Sequence, residues 1–301
     1  MYSKKMKRSI LIFFALVSLI SCNQKDPLAP FRDESKFVIP PTGKSIKVMT
    51  YNIFAPNNKY SAPGQKVNLD SIAAVINGEK PDFVLIQEVD SCTPRAGRNI
   101  HQAKELAKKT GMKYCYQVAW DRGKDVADIQ DENDRGGGFG DAVLSKYEFV
   151  DSVKRVIGPD PSVGGQNRAV VFIKVNIDDT PLWIGTTHLD HVKDEKNRIY
   201  QANAIKPIVE SLDAPFILGG DFNAEPGTQT IEIMSKYTTF AYRSEQQYTY
   251  PSNMFPYYEK RLIDYITYYP RDFFVEKGYN VLNTAKASDH MPVVAVLSID
   301  N

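Results

Sequence analysis

Five short polar motifs, each beside an apolar run, carry the residue types able to do chemistry. Phe216-Ile217-Leu218 leads into Gly219-Gly220-Asp221-Phe222-Asn223, and Ser288-Asp289-His290 stands close to the C-terminus. Upstream, Asn52 ends Met49-Thr50-Tyr51, Gln87-Glu88 follows Phe83-Val84-Leu85-Ile86, and Thr187-His188 follows Leu182-Trp183-Ile184-Gly185. Each polar residue falls where a buried strand would surface, so separate strand ends converge on one place. Carboxylates, amides and imidazoles gathered in this way suit metal-assisted attack of water on phosphorus. A phosphate ester resists hydrolysis because the nucleophile must approach an anion and the leaving alkoxide must be stabilised. Taken singly, a strand-end glutamate is more often solvated and a Gly-Gly-Asp-x-Asn string is more often a turn. It is their joint occurrence that points to a site.

With Asp264 in Leu262-Ile263-Asp264-Tyr265-Ile266, these motifs resemble the endonuclease/exonuclease/phosphatase superfamily, in the family's order, over roughly residues 45–300. That group includes DNase I, exonuclease III, sphingomyelinases and inositol polyphosphate phosphatases. The resemblance implies a four-layer αββα sandwich, with two mixed β-sheets packed face to face and flanked by helices. It also implies a Mg²⁺ (or Mn²⁺) ion held by Glu88 and Asp289, with Asn52 on the metal or on a phosphate oxygen. By the same resemblance Asp221 orients or deprotonates the attacking water, and Asn223 holds the water or the phosphate. His290 contacts the scissile phosphate, Asp264 orients His290 and keeps it protonated, and His188 stabilises the phosphate or protonates the leaving group. The exonuclease III branch typically lacks a histidine at the position of His188, which pulls the reading away from abasic-site endonucleases.

Other residues read less sharply. Arg168, before the strand-like Ala169–Val175, places a guanidinium on phosphate or is a solvated strand start. The chain has four histidines, and the two outside the motifs, His101 and His191, read as surface or helix-face packing. The loop from Asp121 to Gly138 reads as a mobile rim, since no Walker lysine-serine pair follows its glycines. The aromatic segment Tyr248 to Tyr258 either stacks on substrate or packs on its own domain; it is where substrate specificity is expected to lie.

The elements needed to position these groups are visible as apolar runs at 46–50, 82–87, 114–120, 140–144, 149–156, 168–175, 181–187, 215–219, 262–268, 272–276 and 292–299. Helical spacing links Leu69, Ile72, Ala73 and Ile76, then Ala103, Leu106 and Ala107, then Ile199, Ala202, Ile205 and Ile208, and Gly111 reads as a helix stop. Composition alone allows a doubly wound parallel sheet or two mixed sheets between helices. The runs from 140 to 187 have no helix between them and predict an antiparallel meander, which disfavours a single parallel sheet.

The N-terminus carries Lys4, Lys5, Lys7 and Arg8, then an uncharged apolar stretch from Ile10 to Ile20 that is too short to span a bilayer. Leu19-Ile20-Ser21-Cys22 resembles a bacterial lipobox. The expected organisation is therefore a signal peptide over 1–21, a tether over 22–44 following a lipidated Cys22, and a phosphoesterase domain over 45–301. An outer-membrane lipoprotein of the cell envelope, attached through its N-terminal lipid, follows from that reading; a monomer is expected. Removing the four basic residues before Cys22 turns 37 basic against 36 acidic residues into 33 against 36, a net charge of −3. Such a balance lacks the broad basic surface that dominates non-specific nucleic-acid binding. Cys92 and Cys115 read as free thiols or as a disulfide pair. The expected activity is hydrolysis of a phosphomonoester or phosphodiester substrate. A DNase-like extracellular endonuclease is the alternative, and a non-catalytic binding protein on the same fold is a weaker one.

Overall fold

Alternation along the first strands sets the layering. In the computed structural model, which describes residues 43–54, 67–121, 137–241, 247–252, 257–283 and 287–299, Val48, Phe83 and Leu85 face one hydrophobic core while Met49, Val84 and Ile86 face another. A period of two buries both faces of a sheet, and each buried aliphatic or aromatic side chain contributes about 1.5–3 kcal/mol. The proposed signal peptide, Cys22 and nearly all of the tether lie outside the described residues, as does residues 122–136 of the rim loop.

The elements are β1 (Ser45–Asn52), α1 (Leu69–Glu79), β2 (Phe83–Ser91), α2 (Gln102–Thr110), β3 (Lys113–Asp121), β4 (Gly138–Ser145), β5 (Phe149–Ile157) and β6 (Arg168–Ile177). They continue with β7 (Thr180–His188), α3 (Lys196–Glu210), β8 (Phe216–Asp221), α4 (Gln229–Met234), β9 (Thr239–Ala241), β10 (Asp264–Tyr269), β11 (Val275–Val281) and β12 (Val293–Ser298). Two six-stranded sheets result, in the orders β11-β12-β1-β2-β4-β3 and β5-β6-β7-β8-β10-β9. One core lies between the sheets and draws Ile46, Leu85 and Val143 from the first and Ile173, Ile184, Ile217 and Ile266 from the second. A second core joins the other face of the first sheet to Ile72, Ile76, Ala103 and Leu106 of α1 and α2. A third joins the second sheet to Ala202 and Ile205 of α3 and Met234 of α4. The fold is thus the four-layer αββα sandwich.

The two sheets repeat one pattern. Each has a single parallel pair at its centre, β1 with β2 and β7 with β8, flanked on both sides by antiparallel pairs. Each parallel pair is joined through a helix, α1 or α3, as parallel pairing requires. Asn52, Glu88, His188 and Asp221 therefore stand at the carboxyl ends of the four parallel strands. The antiparallel strands β10 and β12 begin at that same end, which brings in Asp264 directly and His290 just before β12.

Two expectations about the elements need correction. β4 does not join the meander, because it is buried along its whole length between β2 and β3; the chain crosses to the second sheet at residues 146–148, and only β5, β6 and β7 form the meander. The run 272–276 is not one strand: Arg271–Phe273 is a 3-10 turn after Pro270, and β11 extends to Val281 as a half-exposed edge strand with little apolar signal. The short elements α4 and β9 give too few residues for a periodic pattern. The expected stop at Gly111 is present, in left-handed conformation with its N–H on Ala107 O. Cys92 is exposed, Cys115 is buried, and both are free thiols.

Candidate active site

The site is built from local backbone devices at those strand ends. Pairing of β2 with β4 is interrupted by a bulge between Ile86 and Val89, and Glu88 takes a positive φ of 61° there. A bulge turns a side chain off the regular face, and here it delivers Glu88 while Gln87 stays buried. Gln87 Nε2 donates to Thr186 Oγ1 of the second sheet at 2.7 Å and to Thr50 Oγ1 at 3.1 Å, which ties the two sheets together behind the site. At the end of β8, a Cβ on Gly220 would fall on the carbonyl oxygen of Thr187, so only glycine lets β7 and β8 close at the point where Asp221 emerges. Asn223, in left-handed conformation with φ 49°, donates its backbone N–H to Asp221 Oδ1 at 2.9 Å.

Around Asp221 the predicted residues come together. Asn52 Nδ2 donates to Asp221 Oδ2 and to Glu88 Oε1, both at 3.1 Å, and its Oδ1 accepts the Phe54 N–H at 3.0 Å. The amide nitrogen, not the oxygen, thus faces the carboxylates, and Asn52 orients both. His290 Nδ1 donates to Asp264 Oδ2 at 2.9 Å, while its Nε2 lies 3.6 Å from Asp221 Oδ2. Asp264 is held in turn by Thr249, whose Oγ1 accepts the N–H groups of Ile263 and Asp264. His188 Nε2 lies 3.5 Å from Asp221 Oδ2 and accepts from Asn223 Nδ2 at 3.0 Å, the same amide group donating to Leu189 O. Ser288 Oγ donates to Asn52 O, fastening the Ser288-Asp289-His290 segment to the end of β1.

Burial and charge set the protonation of this cluster. Desolvation pushes Asp221 up to about 7, with Asp264 adding to the shift and His290 opposing it. Burial alone would discharge His290, but Asp264, Asp221 and Asp289 outweigh it and hold its pKa well above the ordinary value. His188 goes the other way: burial, then the positive charges of Arg168 and His290, hold it well below.

Arg168 is neither solvated nor isolated. It is buried, Nη2 donates to Asp190 Oδ1 and to His191 Nδ1, both at 3.1 Å, and among the described residues Nε is buried without a partner. His191 stands at the surface, as expected, with its Nδ1 engaged by Arg168. His101 is a packing residue, with its ring edge-on to Tyr114 and Tyr116. The sequence reading missed Asp141, a fully buried β4 carboxylate that accepts the Glu88 N–H; burial raises its pKa well above the carboxylate range against the pull of Arg168. The available signal was a lone charge inside Gly138–Ser145, a strand otherwise without one. Asp190 and Thr249 were missed because their partners are distant in sequence.

A divalent cation fits these residues. Asp289 is pushed up to about 7 by burial and, against the pull of His290, by Glu88. Two hard-oxygen groups that repel one another are stabilised by a divalent cation between them. Asp221, Asp264 and His290 also bring ligand atoms within 4.8 Å of one another. There, however, His290 is bonded to Asp264 and held cationic, and an imidazolium has no lone pair for a metal, so Glu88 and Asp289, with Asn52 beside them, are the better donors. Tyr250 closes the His290 side, its ring 4.9 Å from the imidazole and stacked on Tyr258 at 6.2 Å.

Comparison with known proteins agrees with this geometry. Solved structures resemble the chain along most of its length. An endonuclease/exonuclease/phosphatase family protein from Bacteroides thetaiotaomicron matches with a TM-score of 0.65 at 22% identity, over 86% of this chain and 99% of that one. The mannosyl-6-phosphatase Bt3783 from Bacteroides thetaiotaomicron matches with 0.63 at 22%, over 84% and 99%. The human Nocturnin catalytic domain, solved with a bound sulfate anion, matches with 0.61 at 18%, over 84% and 94%. No curated protein matches the chain. At these identities the structures speak for the fold alone, whereas the family model for the Endonuclease/Exonuclease/phosphatase family matches residues 49–290, a span holding every residue of the cluster. The chain belongs to the Endonuclease/Exonuclease/phosphatase family.

Proposed function

We propose that this chain is a divalent-metal-dependent phosphoesterase that hydrolyses a phosphomonoester or phosphodiester by attack of an activated water on phosphorus. The observation that carries the reading is Asp221 set between a charged and a neutral histidine. A carboxylate whose pKa lies near 7 is matched to accepting a proton from water at neutral pH. His290, kept cationic by Asp264, donates toward the phosphate oxygens as charge builds on them. Arg168 offers buried donors to the same anion, and its bonds to Asp190 and His191 fix the guanidinium. Asn223 keeps His188 Nε2 as an acceptor, which favours a positioning role for His188 over protonation of the leaving group.

Glu88 and Asp289 would hold Mg²⁺ or Mn²⁺, which when bound supplies neutralisation of phosphate and leaving-oxygen charge, while Asn52, with Nδ2 on Glu88 Oε1 and Oδ1 on the Phe54 N–H, orients Glu88 and is not itself placed as a ligand. A panel of phosphomonoesters and phosphodiesters tests the reading. Hydrolysis that stops with EDTA and returns with Mg²⁺ or Mn²⁺ is expected, and full activity in chelator contradicts it.

Secretion and lipid anchoring through Cys22 form the second part of the proposal, supported by the basic, apolar and lipobox sequence before it. Cys22→Ala is expected to leave the precursor unprocessed or to release the protein from the membrane fraction. An unchanged membrane pool with unchanged mature mass contradicts the anchor.

A further inference from the structure

The pairing of Arg168 with His191 has a consequence for what the site selects. A guanidinium has only donors, so the 3.1 Å contact from Arg168 Nη2 makes His191 Nδ1 an acceptor and puts the ring proton on Nε2. The ring is fixed as well as polarised. Its backbone N–H donates to Asp190 Oδ1 at 2.8 Å, and Asp190 is held by Asn197 Nδ2 at 2.6 Å and, through its own N–H, by Gln201 Oε1 at 2.9 Å. Asp190 and Arg168 are buried, yet 64% of the His191 side chain is exposed, so this buried lattice presents an imidazole to solvent. That imidazole lies within electrostatic reach of Arg168, Asp190, Glu88 and Arg198. Its charge also reaches His188 of the site. Among the described residues the structure records no hydrogen bond at His191 Nε2.

We propose that His191 Nε2–H forms a leaving-group subsite, donating a hydrogen bond to an uncharged oxygen, a hydroxyl or ether, of the group esterified to the scissile phosphate. The inference rests on the phosphoesterase reading and deepens it by naming the substrate class: phosphate esters of hydroxylated alcohols. A neutral, oriented donor suits a neutral acceptor, and a site built to bond a substrate hydroxyl discriminates against an ester that lacks one. Contacts order the site's groups as Tyr258, Tyr250, His290, Asp221, His188, so the aromatic pair lies at the His290 end, and His191 stands with Arg168 at the His188 end.

The test compares glucose 6-phosphate and glycerol 1-phosphate with phenyl phosphate, whose leaving group carries no acceptor beyond the ester oxygen, using the full chain with Mg²⁺. His191→Phe is expected to lower kcat/KM about tenfold on the hydroxylated esters and less than about twofold on phenyl phosphate. His191→Asn, which retains an acceptor for Arg168 and an N–H donor, is expected to recover most of the loss. Equal losses on both classes would mean that His191 acts only by holding Arg168, and would overturn the proposal, as would no loss on either. If the wild type takes only hydroxylated esters, that exclusivity should relax in His191→Phe, and its persistence overturns the proposal. A wild type that takes only phenyl phosphate also overturns it. Hydrolysis of none of the three by the wild type overturns the monoesterase reading, and the subsite with it.

Discussion

His188 and His290 flank one carboxylate, 3.5 and 3.6 Å from Asp221 Oδ2, and are buried to similar degrees, yet the protein holds them in opposite charge states. Their partners explain the difference. His290 faces Asp264, Asp221 and Asp289, whereas His188 faces Arg168 and accepts from Asn223. Desolvation penalises the charge on both, so what decides protonation is the sign of the neighbouring charges. Two sheets with the same strand pattern thus supply two histidines in unlike electrostatic settings to a single centre.

The comparison breaks most visibly at its charged half. Asp221→Asn and His290→Ala are each expected to lower kcat by at least ~10²-fold with substrate binding comparatively intact. Asp264→Asn acts through the same imidazole, so adding it to His290→Ala should cost far less than the product of the single effects. Multiplicative losses in a folded, metal-loaded double variant would show that the pair does not work as a unit.

The neutral half should be more tolerant. His188→Gln, which can still accept from Asn223, is expected to cost roughly tenfold in kcat, about the worth of one hydrogen bond. A loss equal to that of His290→Ala would erase the distinction between the two histidines.

A smaller effect concerns stability without metal. A carboxyl whose pKa is raised by folding keeps a proton that the unfolded chain has already lost, so the folded state is favoured at low pH and loses ground as pH climbs from about 4 to about 7. Asp289, raised from 3.8 to about 7, is such a group. Asp289→Asn in chelator should therefore flatten that decline and raise Tm at pH 7, by about 2–4 °C for each kcal/mol relieved. Unchanged slope and Tm in the variant would show that Asp289 carries no such penalty.

Much of this arrangement was legible in the sequence because an apolar run ending in a polar residue marks both a strand and its exit. Asn52, Glu88, His188 and Asp221 were all found in that way, Asp264 through its match to the family's motif, and His290 through its neighbours Ser288 and Asp289. The sheet assignment of β4 was not legible, since a run buried on both faces carries no sign of which sheet it joins. Asp141 and Asp190 escaped because their significance depends on Glu88 and Arg168, contacts that no local pattern encodes. The surface position of His191 was legible, but its contact with Arg168 was not, because that side chain reaches it from another strand.

Hydrolysis in ¹⁸O-labelled water tests most directly whether this centre attacks phosphorus. Using the Mg²⁺-loaded protein and a phosphomonoester that it turns over, one ¹⁸O atom is expected in each released phosphate and none in the alcohol, with the rate of labelled-phosphate release falling in Asp221→Asn. Label in the alcohol, or labelled phosphate formed at the wild-type rate by Asp221→Asn, would contradict water activated by Asp221 as the nucleophile.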